Sequence, residues 1–168
     1  MNLFVISDTH FSHENIIKYC GRPFANAAEM DEVLVENWNA TVKPGDHVYH
    51  LGDVALRKQQ LGIVKRLNGK RRLVLGNHDI FEAKDYLAVF EKVMAIRVLD
   101  GIIFTHIPIH PESMGRFRAN IHGHLHEKTY PFPYLNVSVE RTGYRPVALE
   151  TLKQQIVAAQ QEVELTCS

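Results

Sequence analysis

Disulfides, an excess of charge of either sign and long apolar runs are all missing from this chain. Only two cysteines occur, Cys20 and Cys167, the second one residue from the C-terminus. That usage argues against a disulfide scaffold and fits a reducing compartment. The 19 basic side chains balance the 19 acidic ones, so no polyanion-binding surface spreads over the whole molecule, although a local basic groove is still open and nucleic acid is not excluded. The first apolar run, Leu3-Phe4-Val5-Ile6, is too short for a signal peptide and leads straight to Asp8. No stretch approaches the roughly 20 apolar residues of a membrane span. Internal repeats, low-complexity tracts and interdomain linkers are missing too. The expectation is a cytoplasmic chain whose residues 1–168 form one domain, with length enough for a sizeable core. Its oligomeric state is not legible. What the sequence does hold in quantity is histidine, with ten residues whose clustering calls for an explanation.

Asn2 to Ser7, His47 to Leu51 and Arg72 to Leu75 are short apolar runs of the kind that form buried strands. Residues 11–25 read as a loop broken by Gly21 and Pro23. A helix starts near Asn26, an N-cap with Glu29 three residues on, and Met30, Val33, Leu34 and Trp38 share one face. Leu61, Val64 and Leu67 mark a second helix, stopped by Asn68-Gly69. A short one surrounds Tyr86, Leu87 and Phe90. Residues 92–99 and 102–106 predict two strands joined by the hairpin turn Asp100-Gly101. A polar loop, 107–119, precedes the segment Ile121 to His126. Tyr134 to Val139 alternates as a strand, Leu149, Leu152 and Ile156 mark a last helix, and 165–168 should fray. Strand and helix alternate in the first half and strands dominate the second, which predicts a layered α/β sandwich.

Four of these strands end in groups able to bind a metal: Asp8 and His10, then Asp53, then Asn77, then His106. His124 and His126 follow a fifth segment. Neighbouring strands lie about 4.8 Å apart, so ligands at their adjoining ends can converge although the sequence scatters them. In extended chain residues i and i+2 point to one side, which would aim Asp8 with His10, and His124 with His126, into one site. The set holds imidazoles, carboxylates and an amide oxygen without a thiolate. That favours Mn, Fe, Zn or Ni over Cu(I) and over an all-oxygen Ca or Mg cage. Seven ligands exceed one tetrahedral site but suit two divalent ions sharing a carboxylate, a pair that sits about 3.5–4 Å apart in two-metal hydrolases.

The ordered set Asp8-Thr9-His10, Gly52-Asp53, Gly76-Asn77-His78-Asp79, His106 and Gly123-His124-Leu125-His126 resembles the calcineurin-like metallophosphoesterase superfamily. The likeness runs from the first strand to about Leu152. Ser7-Asp8-Thr9-His10-Phe11-Ser12-His13 and Gly143-Tyr144-Arg145-Pro146 resemble a small single-domain bacterial or phage branch. The resemblance implies a four-layer α/β/β/α sandwich. It implies that Asp8, His10 and His126 bind one metal, that Asn77, His106 and His124 bind the other, and that Asp53 bridges them. It implies hydrolysis of phosphodiesters or phosphomonoesters, nucleotide-like ones among them, by a hydroxide shared between the metals. Asp53, Asn77 and His78 are then catalytic, with His78 contacting the phosphate and able to protonate the leaving oxygen. His122 would support the site without binding metal.

One departure stands out. The protein-phosphatase branch follows its Gly-Asp motif with a second Asp and an Arg, and the aligned residues here are Leu56 and Arg57. If that Asp orients the catalytic histidine, His78 lacks it unless Asp79 substitutes. Arg22, Arg116 and Arg118, with His13 and Asn15, are the candidate substrate contacts, because they lie in loops beside the ligands and Arg suits phosphate. Two rival readings differ in class. A non-catalytic interaction scaffold on the same fold need not keep every ligand. A nuclease acting on polymers would show a steep salt dependence of binding.

Overall fold

A computed structural model describes residues 1–166. Nine strands form two sheets. The first sheet contains β1 (Leu3–Ile6), β2 (His47–His50), β3 (Lys70–Val74), β4 (Lys92–Met94) and β9 (Val147–Ala148), in the order β4-β3-β2-β1-β9. Its first four strands are parallel and β9 is antiparallel to β1. The second sheet runs β5 (Arg97–Leu99), β6 (Ile102–Phe104), β7 (Ala119–His122), β8 (Tyr134–Asn136), with only β5 antiparallel.

The central strands are apolar on both faces because both faces are covered, as parallel sheets require. Phe4, Ile6, Val48 and Leu73 face a helical layer. That layer contains α1 (Glu14–Tyr19), α2 (Ala27–Thr41), the 3-10 helix Lys58–Arg66 and α3 (Ala83–Leu87), contributing Ile16, Met30, Leu34, Trp38, Leu61, Val64 and Tyr86. Val5, Tyr49, Leu51 and Val74 face the other way, onto Ile102, Phe104, Ala119 and Ile121 of the second sheet. The short α4 (Val139–Thr142) precedes β9, and α5 (Leu149–Thr166) follows it directly. Leu149, Leu152 and Ile156 of α5 complete the core between the sheets. The fourth layer is thin. The outward-facing Asn120 and Tyr134 are tied to the 107–118 connection, where the Ile109 N–H donates to Asn120 Oδ1 (2.9 Å) and the Tyr134 hydroxyl donates to the Ile109 carbonyl (2.9 Å).

Several expectations hold. Asn26 caps α2, its side chain accepting from the Glu29 N–H at 2.9 Å. Asp100 and Gly101 both take positive φ, the conformation a two-residue hairpin needs between β5 and β6. Others are corrected. The 11–25 loop contains α1, whose six residues are too few to show a helical period, although Ile16 and Ile17 are buried. The segment around Leu61, Val64 and Leu67 is a 3-10 helix, and its three-residue spacing matches that repeat. Residues 92–99 are two strands, β4 in the first sheet and β5 in the second, so the chain changes sheets there. The segment Ile121 to His126 is strand only as far as His122, the end of β7, and the strand predicted over 134–139 ends at Asn136. The expected fraying of 165–168 is met by α5 running to Thr166, while Cys167 and Ser168 lie outside the described residues.

Candidate metal centre

β1, β2 and β3 run parallel side by side, as do β6 and β7, so their C-terminal ends share one edge of the sandwich. Ser7 joins the two sheets there: its N–H donates to the Val137 carbonyl and its carbonyl accepts from the Val139 N–H, both at 3.1 Å. The turns that leave these ends bring the seven candidate ligands together. His10 Nε2 lies 3.5 Å from Asp53 Oδ2 and 3.9 Å from Asp8 Oδ1. His106 Nε2 lies 3.3 Å from the same Asp53 oxygen and 2.8 Å from Asn77 Oδ1. The His126 ring stacks on His10 at 5.4 Å, and the His124 ring meets His106 at 5.2 Å. Ligand atoms of Asp8, His10 and His126 fall within 4.8 Å of one another, as do those of Asp8, Asp53 and His106.

The convergence does not arise as the i, i+2 argument expected. Asp8, His10, Asp53, His124 and His126 all have positive φ, between 48° and 69°. Left-handed backbone at a non-glycine residue costs of order 1 kcal/mol or more and persists where the surrounding fold over-determines it. These residues are therefore not extended; tight left-handed turns aim them. Two motif glycines permit the packing of these turns. A Cβ on Gly76 would collide with the Asp53 side chain and amide, and one on Gly123 with Ser7 Oγ and Asp8 Oδ2.

Neighbouring polar groups hold the turns. Both oxygens of Asp79 accept backbone N–H groups, from Asp53 (2.8 Å), Val54 (3.1 Å) and Gly76 (2.8 Å). Asp79 thus clamps two loops together and does not replace the missing Asp beside His78. Asp8 Oδ2 accepts from the His124 N–H (2.8 Å) and the Ser138 hydroxyl (2.9 Å). His50 was not foreseen. It accepts the Gly52 N–H on Nδ1, which places its proton on Nε2 facing Thr9 Oγ1 at 2.9 Å; Thr9 donates onward to the Val54 carbonyl. Glu140 was also missed: its Oε1 lies 3.0 Å from His126 Nδ1 and fixes that ring. Nothing near Glu140 in the sequence signals this role, because its partners Arg22 and His126 come from other turns.

Arg22 is corrected as a substrate contact. Its guanidinium is fully buried, pairing with Glu140 Oε1 at 2.7 Å and donating to the carbonyls of Asp8 (2.8 Å) and Thr9 (2.9 Å). It positions the first ligand turn from behind. Removing one partner of a buried ion pair costs about 3–5 kcal/mol, so Arg22→Met should lose about that much in urea unfolding and bind metal more weakly. A selective rise in KM at unchanged stability would restore Arg22 as a substrate contact. Arg116 and Arg118 are exposed. The Arg118 amide bonds to the Gly101 carbonyl (2.8 Å), at the N-terminal end of β7 and away from the ligand edge. Neither arginine lines the site.

The site opens into a cavity of about 500 Å³ lined by His10, His13, Tyr19, Cys20, Leu56, His78, His124, His126 and Lys128. Leu56 stands where the resemblance expected an acid, Arg57 is exposed, and Asn15 is exposed in the first turn of α1. His78 is also exposed, and its ring meets His10 edge-on at 5.7 Å; its backbone N–H donates to Asp53 Oδ1 at 2.9 Å, and among the described residues no carboxylate pairs with the ring. His122 is buried, its Nδ1 2.8 Å from the Gly123 carbonyl, and it stays out of the ligand cluster.

The cluster is built for cations. Asp8 Oδ1 and both ring nitrogens of His10 are buried without a hydrogen-bond partner, which costs free energy unless something fills the need. Burial, helped by the Arg22 charge, lowers the His10 pKa to about 3, leaving a neutral imidazole with one ring nitrogen free to bind a metal. Burial opposes charge on Asp53, yet His106 and His10 hold its pKa down to about 2. His106 and His126 titrate above the usual range despite burial, drawn up by Asp53 and Glu140 respectively. The donor set therefore fits divalent metal ions.

The calcineurin-like phosphoesterase superfamily domain matches residues 1–140. The uncharacterized protein MJ1445 of Methanocaldococcus jannaschii is 39% identical over 166 residues, covering 89% of this chain and 88% of its own length. The Gene 66 protein of Mycobacterium phage L5 is 32% identical over 84 residues, 46% of this chain and 40% of that protein. Among solved structures, AQ665 from Aquifex aeolicus, a protein of unknown function, superposes with a TM-score of 0.71 at 28% identity, covering 92% of this chain and 98% of its own. Among the described residues no helix is long and apolar enough to cross a membrane.

Proposed function

The chain belongs to the calcineurin-like phosphoesterase superfamily, and we propose that it is a dimetal-dependent hydrolase of phosphodiesters or phosphomonoesters. The observation that carries the reading is the meeting of Asp8, His10, Asp53, His106 and His126, with Asn77 and His124 against His106, around buried atoms without a hydrogen-bond partner. Asp8, His10 and His126 would hold one divalent ion, and Asn77, His106 and His124 the other, with Asp53 between them. Mn, Fe, Zn and Ni all suit this set. Bound there, such ions supply a water acidic enough to ionise near neutral pH and neutralise charge on the phosphoryl oxygens. The chain's own groups do the rest. Asp53 and Asp8 fix the ligand geometry, Glu140 orients His126, and His78 stands at the cavity wall within reach of a phosphoryl group. An interaction scaffold would have no use for five ligands held in left-handed backbone. The unpaired Cys20 suits a reducing compartment such as the cytoplasm.

The test is hydrolysis of p-nitrophenyl phosphate and bis(p-nitrophenyl) phosphate by Mn²⁺-loaded protein, and inertness toward both would overturn the reading. A second experiment separates two roles for His78. General acids contribute about 10²–10⁴-fold, chiefly when the leaving group is poor. No carboxylate orients the His78 ring as a proton donor, and Leu56 stands where one was expected, so we assign the ring to stabilising charge on the phosphoryl oxygens. His78→Ala should therefore lower kcat by similar factors on nitrophenyl and alkyl esters, with metal content unchanged. A loss confined to the alkyl ester would make His78 the acid.

A further inference from the structure

A second cavity, of about 610 Å³, opens beside the ligand cluster and shares His124 and Leu125 with the first. Its remaining walls are apolar and stiff: Ile107, Pro108, Pro131, Tyr130 and Tyr134, with the imidazole of His110 as the main polar group. Among the described residues no Asp, Glu, Lys or Arg lines it. The Tyr134 ring is fixed by its hydroxyl, which donates to the Ile109 carbonyl at 2.9 Å. Tyr130 packs edge-on against it at 5.7 Å and leaves half of its own surface open. His110 accepts the Glu112 N–H on Nδ1, so its proton lies on Nε2, a donor.

Resting on the phosphoesterase reading, we infer that this groove holds the organic part of the substrate, and that this part is a flat heteroaromatic ring such as a nucleobase. The placement follows from continuity. An ester whose phosphoryl group sits among the ligands has His124 on the boundary, and the groove begins on the other side of that residue. The chemistry follows from the walls. The tyrosine rings present flat uncharged faces and the prolines rigid apolar ones, a poor environment for a sugar or a second phosphate and a good one for stacking. Each base stacked on an aromatic side chain typically gains affinity by about one to two orders of magnitude.

Binding of AMP and of ribose 5-phosphate to Mn²⁺-loaded protein, measured by calorimetry, tests the inference, because both carry the same phosphomonoester and only AMP has a base. AMP should bind at least about tenfold more tightly. Tyr130→Ala should remove most of that preference while ribose 5-phosphate binds as before, and Tyr130→Phe should keep it. Equal affinity of the two ligands for the wild-type protein would overturn the inference and leave the phosphoesterase reading intact. So would a Tyr130→Ala variant that loses affinity for both equally. Failure of both to bind the wild-type protein would count against the phosphoesterase reading itself, and the inference would fall with it.

Discussion

Removing divalent metal should abolish phosphoesterase activity, and Mn²⁺ added to the stripped protein should restore it. The expectation rests on the ligand chemistry. Asp8, His10, Asp53 and His106 are almost wholly buried, and in the protein alone they leave Asp8 Oδ1 and His10 Nε2 without hydrogen bonds. Against their burial, carboxylates beside His106 and His126 hold their pKa up, whereas burial pushes those of His10 and His124 down and leaves them neutral donors. Among the described residues nothing else in the cavity supplies a comparable charge to a phosphoryl group, since Lys128 is the only one of its lining side chains that is basic other than histidine. Metal should also stabilise the fold, because the site exists only in the folded state: saturation at 100 times Kd is worth about 2.7 kcal/mol. A thermal scan with and without Mn²⁺ should show a rise in Tm alongside the return of activity. Full activity in protein shown by elemental analysis to be metal-free would sink the dimetal reading.

Substituting Asp53 should be nearly as severe. Its Oδ2 lies 3.5 Å from His10 Nε2 and 3.3 Å from His106 Nε2, and so faces a ligand of each proposed group. Its Oδ1 accepts the His78 N–H at 2.9 Å. Asparagine keeps one carbonyl-type oxygen for that hydrogen bond, so the loop should stay folded. It loses the negative charge shared between the two halves. Metal ions contribute several kcal/mol of transition-state stabilisation, and at 1.36 kcal/mol per tenfold this predicts a loss of about 10³-fold or more in kcat/KM. Asp53→Asn should show reduced occupancy of both metals by elemental analysis, whereas His106→Ala should reduce mainly one. Urea midpoints close to wild type would show that the fold survives. Full retention of both metals in Asp53→Asn would refute its place between them.

The sequence by itself determined which candidate ligands reach the site and the order in which they arrive along the chain. Asp8, His10, Asp53, Asn77 and His106 are legible because each follows a short apolar run, and a buried strand that stops must hand its next residues to the sheet edge, while His124 and His126 stand out as a His-x-His pair. The layered α/β architecture is legible for the same reason: strand and helix periods are local. The departure at Leu56 was legible as well, and it left His78 without a carboxylate. Other features were decided only when distant segments met. Arg22 looked like a surface cation fit for phosphate, and became a buried positioning residue because Glu140, 118 residues away, packs onto it. Asp79 looked like a partner for His78, and became a loop clamp because the turn after β2 presents two N–H groups to it. The pairs Asp8/His10 and His124/His126 looked extended, and are instead held in left-handed turns. A side chain's type is fixed residue by residue. Its burial, its partner and its backbone strain are set by long-range packing, which local sequence does not record.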